Sequence, residues 1–158
     1  MASTIARASL TVTVKEDITL DGIQLGKDTA YVIPNVDKWV SRIIDIPDDD
    51  DGITIFALFN EASSGQYDVQ DFKYLRITVK DDTTGIDLFI KDAVPSEGYT
   101  VKIAPETSWI LFDENFTTGL AASPPTPTFL PMFSFLAVRD GSAATRVEYT
   151  VGLATTVV

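Results

Sequence analysis

Apolar and polar side chains alternate with a period of two along almost the whole chain, and helical periodicity is almost absent. Such a pattern gives each strand one face to bury and offers a helix no continuous apolar stripe, so it restricts the chain to β architectures. The clearest run spans residues 72–80, with Leu75, Ile77 and Val79 on one face and Tyr74, Arg76, Thr78 and Lys80 on the other. Leu10, Val12 and Val14 follow the same rule, as do Tyr99, Val101 and Ile103, and Val147, Tyr149 and Val151. Strands of this kind face a core on one side and water on the other, as in antiparallel sheets. Residues 53–59 and 133–138 are apolar on both faces and read as central strands. The stretch 36–44 fits either period, and its β-branched content together with Pro47 favours a strand.

Turn chemistry punctuates these runs. Asp21-Gly22 between Ile18-Thr-Leu20 and Ile23-Gln-Leu25 is a tight-hairpin signal. Asp81 to Gly85 joins two alternating strands, and Asp140-Gly141 joins two more. The pattern predicts about eight to ten strands with turns about every 8–12 residues, a single antiparallel β-sandwich that is jelly-roll-like or Ig-like. No internal repeat of solenoid length is present.

At 158 residues and 45% hydrophobic, the chain is expected to form one domain over residues 1–158 with a core that needs no covalent staple. It has no Cys and no His, which removes thiolate nucleophiles, Fe–S clusters, disulfides, the Ser-His-Asp triad and the commonest transition-metal ligands. Twelve basic and 23 acidic side chains give a net charge of -11, spread evenly over both halves. Without clustered Lys and Arg, neither a nucleic acid nor an anionic membrane surface is an expected partner. The first residues lack the apolar stretch of a signal peptide, and no window approaches a membrane span.

Two long loops are expected, at residues 60–71 and 113–131. The second holds Pro124, Pro125, Pro127 and Pro131, and Phe129, Leu130, Met132 and Phe133 crowd around the last of them. This arm either caps the end of its own sandwich or packs its apolar side chains on a neighbouring subunit, and these eight residues are the interface candidates.

The motifs closest to established catalytic and binding signatures mostly fail on spacing. Asp48, Asp49, Asp50 and Asp51 precede Gly52 and would be relieved by a bound Ca²⁺, but the EF-hand frame places Pro47 first and Leu58 twelfth, neither a carboxylate. They remain weak metal candidates beside the plainer reading of a solvated turn. Gly22-Ile-Gln-Leu-Gly26-Lys27-Asp28 is one residue short of a phosphate-binding loop and has Asp28 where Ser or Thr belongs. Asp82-Thr-Thr-Gly85 is not the Asp-Thr-Gly of an aspartic protease, and no Ser-x-x-Lys pair occurs. Glu97, Glu106, Glu114 and Glu148 could in principle supply a glycosidase pair, though spacing singles out no two of them. Trp39, Tyr67 and Tyr99 can stack on sugars, whereas Trp109, in an apolar run, reads as core. Asn115-Phe-Thr117 matches a glycosylation acceptor by chance composition.

The order Tyr-Leu-Arg-Ile-Thr-Val (74–79), an Asp-rich turn, Ile-Asp-Leu-Phe-Ile (86–90), Tyr-Thr-Val-Lys-Ile-Ala-Pro-Glu-Thr-Ser-Trp-Ile-Leu (99–111) and Arg-Val-Glu-Tyr-Thr-Val (146–151) resembles small β-sandwich structural proteins of tailed-bacteriophage virions. The resemblance covers about half the chain, and Pro105 is followed by Glu106 where that pattern has Gly. It implies a non-enzymatic virion protein made in the host bacterial cytoplasm, without catalytic residues or cofactor. The role implied is a capsid-decorating (cement) protein, or a tail, collar or fibre-base component. The partners implied are further copies, as a trimer or ring assembled through β edges and the apolar Pro-rich arm, and other virion proteins such as the major capsid protein. A carbohydrate- or receptor-binding β-sandwich using Trp39 or Tyr67 is the main competing expectation, and a small carboxylate hydrolase the next.

Overall fold

A computed structural model describes residues 7–48, 52–59, 67–68, 71–92, 98–112, 132–141 and 143–154. The described residues form β1 (Ala8–Lys15), β2 (Thr19–Leu20), β3 (Ile23–Gln24), β4 (Asp28–Val36), β5 (Lys38–Ile46), β6 (Ile53–Phe59) and β7 (Tyr67–Asp68). They continue with β8 (Phe72–Val79), β9 (Gly85–Asp92), β10 (Gly98–Ile103), β11 (Ser108–Phe112), β12 (Met132–Asp140) and β13 (Thr145–Leu153), and contain no helix. The segment that fits both periods is a strand, broken at Asp37 between β4 and β5.

Two sheets face each other. One runs β11-β8-β13-β5 and the other β10-β9-β12-β6-β7, antiparallel throughout except for the short parallel β6–β7 contact. Numbering β5, β6 and β8 to β13 from first to eighth, the sheets read sixth-third-eighth-first and fifth-fourth-seventh-second. That is the winding of a jelly roll, in which the chain passes back and forth between two sheets. The turns at Asp81–Gly85 and Asp140-Gly141 therefore carry the chain from one sheet to the other and do not close hairpins.

The core lies between the sheets. Leu75, Ile77, Val79, Val147, Val151 and Leu153 meet Ile55, Phe56, Leu58, Ile86, Leu88, Ile90 and Phe135 there, all buried. Each such side chain contributes about 1.5–3 kcal/mol by leaving water. Residues 53–59 and 133–138 are central as expected, since β12 lies between β9 and β6, and β6 between β12 and β7. Trp109 is half-buried against this core, its ring 6.4 Å from that of Phe135.

The β8–β9 crossing is fixed by one carboxylate. Asp81 Oδ1 accepts from the backbone N–H of Thr83 and of Thr84 and from the Thr83 hydroxyl, each at 2.8 Å. These donors favour the ionised form and hold the Asp81 carboxyl below its ordinary value of 3.8. A depressed folded value means that the turn's contribution is complete above the ordinary carboxylate range and is lost as pH falls through the depressed value. Asp81→Asn is expected to lower the thermal midpoint at neutral pH and to flatten the acid limb of stability against pH, as thermal melts across the acid range would show. An unchanged acid limb would mean that this carboxylate does not hold the crossing.

Candidate functional site

β1 and β4 form a two-stranded ribbon outside the sandwich, in register from Leu10 opposite Ile33 to Lys15 opposite Asp28, with a register shift before Ala8 opposite Val36. Its base sits on the outer face of the four-stranded sheet. Ile33 and Val36 bury Tyr74 there, with Leu10, Val12 and Phe112 packed around them, and the Tyr31 and Phe112 rings are 5.1 Å apart. Tyr74 falls on the polar face of β8 by alternation, yet the ribbon buries it. Burial raises the pKa of its hydroxyl, partly countered by the Arg76 guanidinium.

Beyond this base the ribbon projects. From Thr13 to Val32 no residue is buried, and only Gly26 and Thr29 are half-buried. The far end closes through β2 and β3, with Thr19 opposite Gln24 and Leu20 opposite Ile23. Asp21 (φ 50°) and Gly22 (φ 79°) adopt the left-handed turn that Asp-Gly favours. Leu25 N–H donates to Ile18 O at 2.8 Å, and Gln24 Nε2 donates to Asp17 Oδ1 at 2.8 Å. A Cβ on Gly26 would overlap the Glu16 carbonyl, so this narrow neck requires glycine. Opposed residues share a face of a hairpin, so Ile18, Leu20, Ile23 and Leu25 form one apolar face while Thr19 and Gln24 hydrogen-bond on the other. All four aliphatic side chains are more than half exposed.

The base of the ribbon borders a second apolar surface. Ala8–Leu10 and Val36–Trp39 line an open cleft of about 380 Å³. Trp39 is half exposed and stacks on Tyr74, centroids 5.4 Å apart and planes at 22°. The register explains how rings on β5 and β8 meet across β13: Gly152 lies opposite both Trp39 and Tyr74, and its missing side chain leaves the space that Trp39 crosses. Lys38 is exposed at the rim, its ammonium 5.6 Å from the centre of the Tyr67 ring.

Further along the outer face, Glu148 draws in Arg76 (3.5 Å), Lys80 (3.7 Å) and the Ser41 hydroxyl (3.4 Å). Arg146 Nε meets Asp45 Oδ1 at 2.7 Å. These pairs tie neighbouring strands together, and as exposed, solvent-screened pairs they add little to stability.

The residues singled out from sequence fare unevenly. Asp48 lies 3.0 Å from Arg139 as an ion pair, and Asp49, Asp50 and Asp51 lie outside the described residues. Among the described residues no three potential ligands gather as a metal group. Of the proline arm, Pro124, Pro125, Pro127, Phe129, Leu130 and Pro131 lie outside the described residues, as do Glu97, Glu114 and Asn115. Met132 and Phe133 open β12, where the backbone pairs with β9, Met132 opposite Asp92. Trp39 and Tyr67 do not form one platform: Tyr67 packs on the core beside Phe56, while Trp39 lies on the outer sheet face. The segment 22–28 is the end of the ribbon, as its failed phosphate-loop spacing implied.

Fold and site together define a jelly-roll sandwich with a projecting β-ribbon that presents apolar side chains at one end and borders an aromatic cleft at the other. No family model matches the chain, and neither a curated protein nor a solved structure does.

Proposed function

We propose that this protein is a non-enzymatic structural subunit of a tailed-phage virion, a capsid-decorating or cement protein that binds its neighbours through the projecting ribbon. The observation that carries this reading is the apolar face of Ile18, Leu20, Ile23 and Leu25, held away from the sandwich on a two-stranded arm. Exposed aliphatic clusters of this kind are association surfaces. The jelly roll lends support by analogy, since capsid and lectin domains reuse it. The resemblance of residues 74–153 to virion β-sandwich proteins adds the particle, and placement at the tail, collar or fibre base is the nearest alternative.

Particles purified from cells encoding the chain, analysed by mass spectrometry, are expected to contain it in many copies. A chain whose residues 16–27 are replaced by a two-residue turn is expected to fold and to be lost from those particles. Absence of the intact protein from particles, or undiminished incorporation of the shortened one, would overturn the reading.

A further inference from the structure

We infer that the edge of β5 pairs with the β5 edge of a second copy of this chain, antiparallel about Ser41, so that two four-stranded sheets join into one. The inference goes beyond the particle role and uses a surface other than the ribbon.

β5 ends its sheet, and among the described residues its only strand neighbour is β13. Alternate residues of an edge strand turn their N–H and C=O outward, and another strand satisfies such a row in pairs. The backbone thus sets the chemistry of the occupant. Of the four edges of the two facing sheets β5 is the longest, with nine residues against five for β11, six for β10 and two for β7. It is also regular, paired with β13 from Lys38 to Ile46 without a register shift and without proline.

Edges are commonly blunted by bulges, prolines or charged side chains. Here Lys38 lies over the Tyr67 ring, 5.6 Å from its centre, and Arg42 hydrogen-bonds Tyr149, so both cations are held on their own molecule. The ribbon leaves this edge clear, because it crosses the outer face toward Tyr74 on β8 and Phe112 on β11.

The side chains identify the occupant as a second copy. Val40, Ile44 and Ile46 of β5 turn toward the core, which places Trp39, Ser41, Ile43 and Asp45 on the outer face. Trp39 is 50% exposed, and Ile43 is 62% exposed although Glu148 lies opposite it. The two stand two residues to either side of Ser41. An antiparallel two-fold about Ser41 sets each Trp39 opposite the Ile43 of the other copy, so both exposed apolar side chains gain a cover. Aromatic and β-branched residues are favourable cross-strand partners.

The same register sets Arg42 opposite Val40 and Lys38 opposite Ile44, so no like charges are opposed within the paired stretch 38–44. Asp45 and the Asp37 of the second copy fall just past it, and Asp45 is ion-paired to Arg146 at 2.7 Å. A two-fold about Arg42 would set guanidinium against guanidinium. One about Ile43 would leave Trp39 opposite Pro47, beyond the end of the strand. The interface uses the same patch on both copies and therefore closes as a dimer.

The experiment takes the intact chain, which has no cysteine, and three single variants. Light scattering across a concentration series is expected to give the mass of two chains for the intact protein. Ile43→Asp is expected to raise the dimer dissociation constant about tenfold or more, since it removes both Trp39–Ile43 contacts. Circular dichroism checks that this variant keeps its β content, and two cysteine variants test the register without it should it unfold. Ser41→Cys sets two thiols opposite each other, with Cα atoms about 4.5–5.5 Å apart and within reach of a disulfide. Ile43→Cys sets them about 13 Å apart along the strands, out of reach. Under mild oxidation Ser41→Cys is expected to become a covalent dimer and Ile43→Cys to remain uncrosslinked.

An intact chain that is monomeric at every concentration would overturn the inference. So would a folded Ile43→Asp variant that dimerises as tightly as the intact chain, or Ile43→Cys crosslinking as readily as Ser41→Cys. Incorporation into particles tests the ribbon separately, and either reading can fail while the other stands.

Discussion

Phe135→Ala is expected to lower the unfolding free energy by about 3–5 kcal/mol, the range for deleting a buried aromatic ring. Phe135 has no solvent exposure and sits on β12, the strand enclosed by β9 and β6. Within its sheet it is opposite Phe56, ring centroids 5.8 Å apart, and across the sandwich it faces Trp109 of β11 at 6.4 Å. Phe56 in turn touches Tyr67, Phe72 and Tyr149. The ring of Phe135 therefore joins both sheets, and its removal leaves a cavity whose walls belong to strands held in place by other pairings. Such walls relax only partly, so the cost combines lost burial with an unfilled void. Domains of this size are stable by about 5–15 kcal/mol, and the substitution removes a large share of that. Urea unfolding followed by tryptophan fluorescence measures it, with Phe135→Leu as the control that keeps most of the volume and loses markedly less. A loss under about 1 kcal/mol would show that the sheets do not close on this ring.

The strands were legible because their period is local. Leu75, Ile77 and Val79 share a face whatever the rest of the chain does, and all three are buried. The winding was not legible. β13 lies between β8 and β5, partners remote in sequence. The Asp-Gly turn at 140–141 looks the same whether it closes a hairpin or crosses between sheets.

Alternation also says which side chains share a face without saying what covers it. Tyr74 therefore reads as solvent-facing although the ribbon buries it. For the same reason Ile18, Leu20, Ile23 and Leu25 read as an ordinary hairpin, and their exposure emerges only because no sheet among the described residues covers them. Apolar density outside the strands is highest in the proline arm, which made that arm the expected association surface. The surface that the described residues display is the earlier ribbon, and residues 113–131 lie outside them. One overlooked signal was Gly152, alone inside the alternating run of β13. An isolated glycine in a strand marks close approach of another group, and here that group is the Trp39 ring.

Gly152→Val tests that reading and is expected to cost about 1–3 kcal/mol, the range for forcing extra carbon into a filled site. A Cβ at Gly152 would stand 3.3 Å from Trp39 Cζ3 and 3.3 Å from Tyr74 Cβ. Alanine requires its neighbours to yield by a few tenths of an ångström, so its effect should be small. The two further methyl groups of valine fall where the Trp39 ring lies, and the ring must leave. Its stacking on Tyr74, worth about 0.5–1.5 kcal/mol beyond area burial, goes with it. Valine is the better strand former, by up to about 1 kcal/mol, but that gain is smaller than the combined steric and stacking loss. Displaced into water, Trp39 should show red-shifted emission, and the cleft should lose the ring that lines it. A double-mutant cycle isolates the cause. If the clash with Trp39 is the origin, Gly152→Val should cost little or even stabilise in a Trp39→Ala background, where the ring is already gone. An equal cost in both backgrounds would place the strain elsewhere on β13 and remove Gly152 as the residue that shapes the cleft.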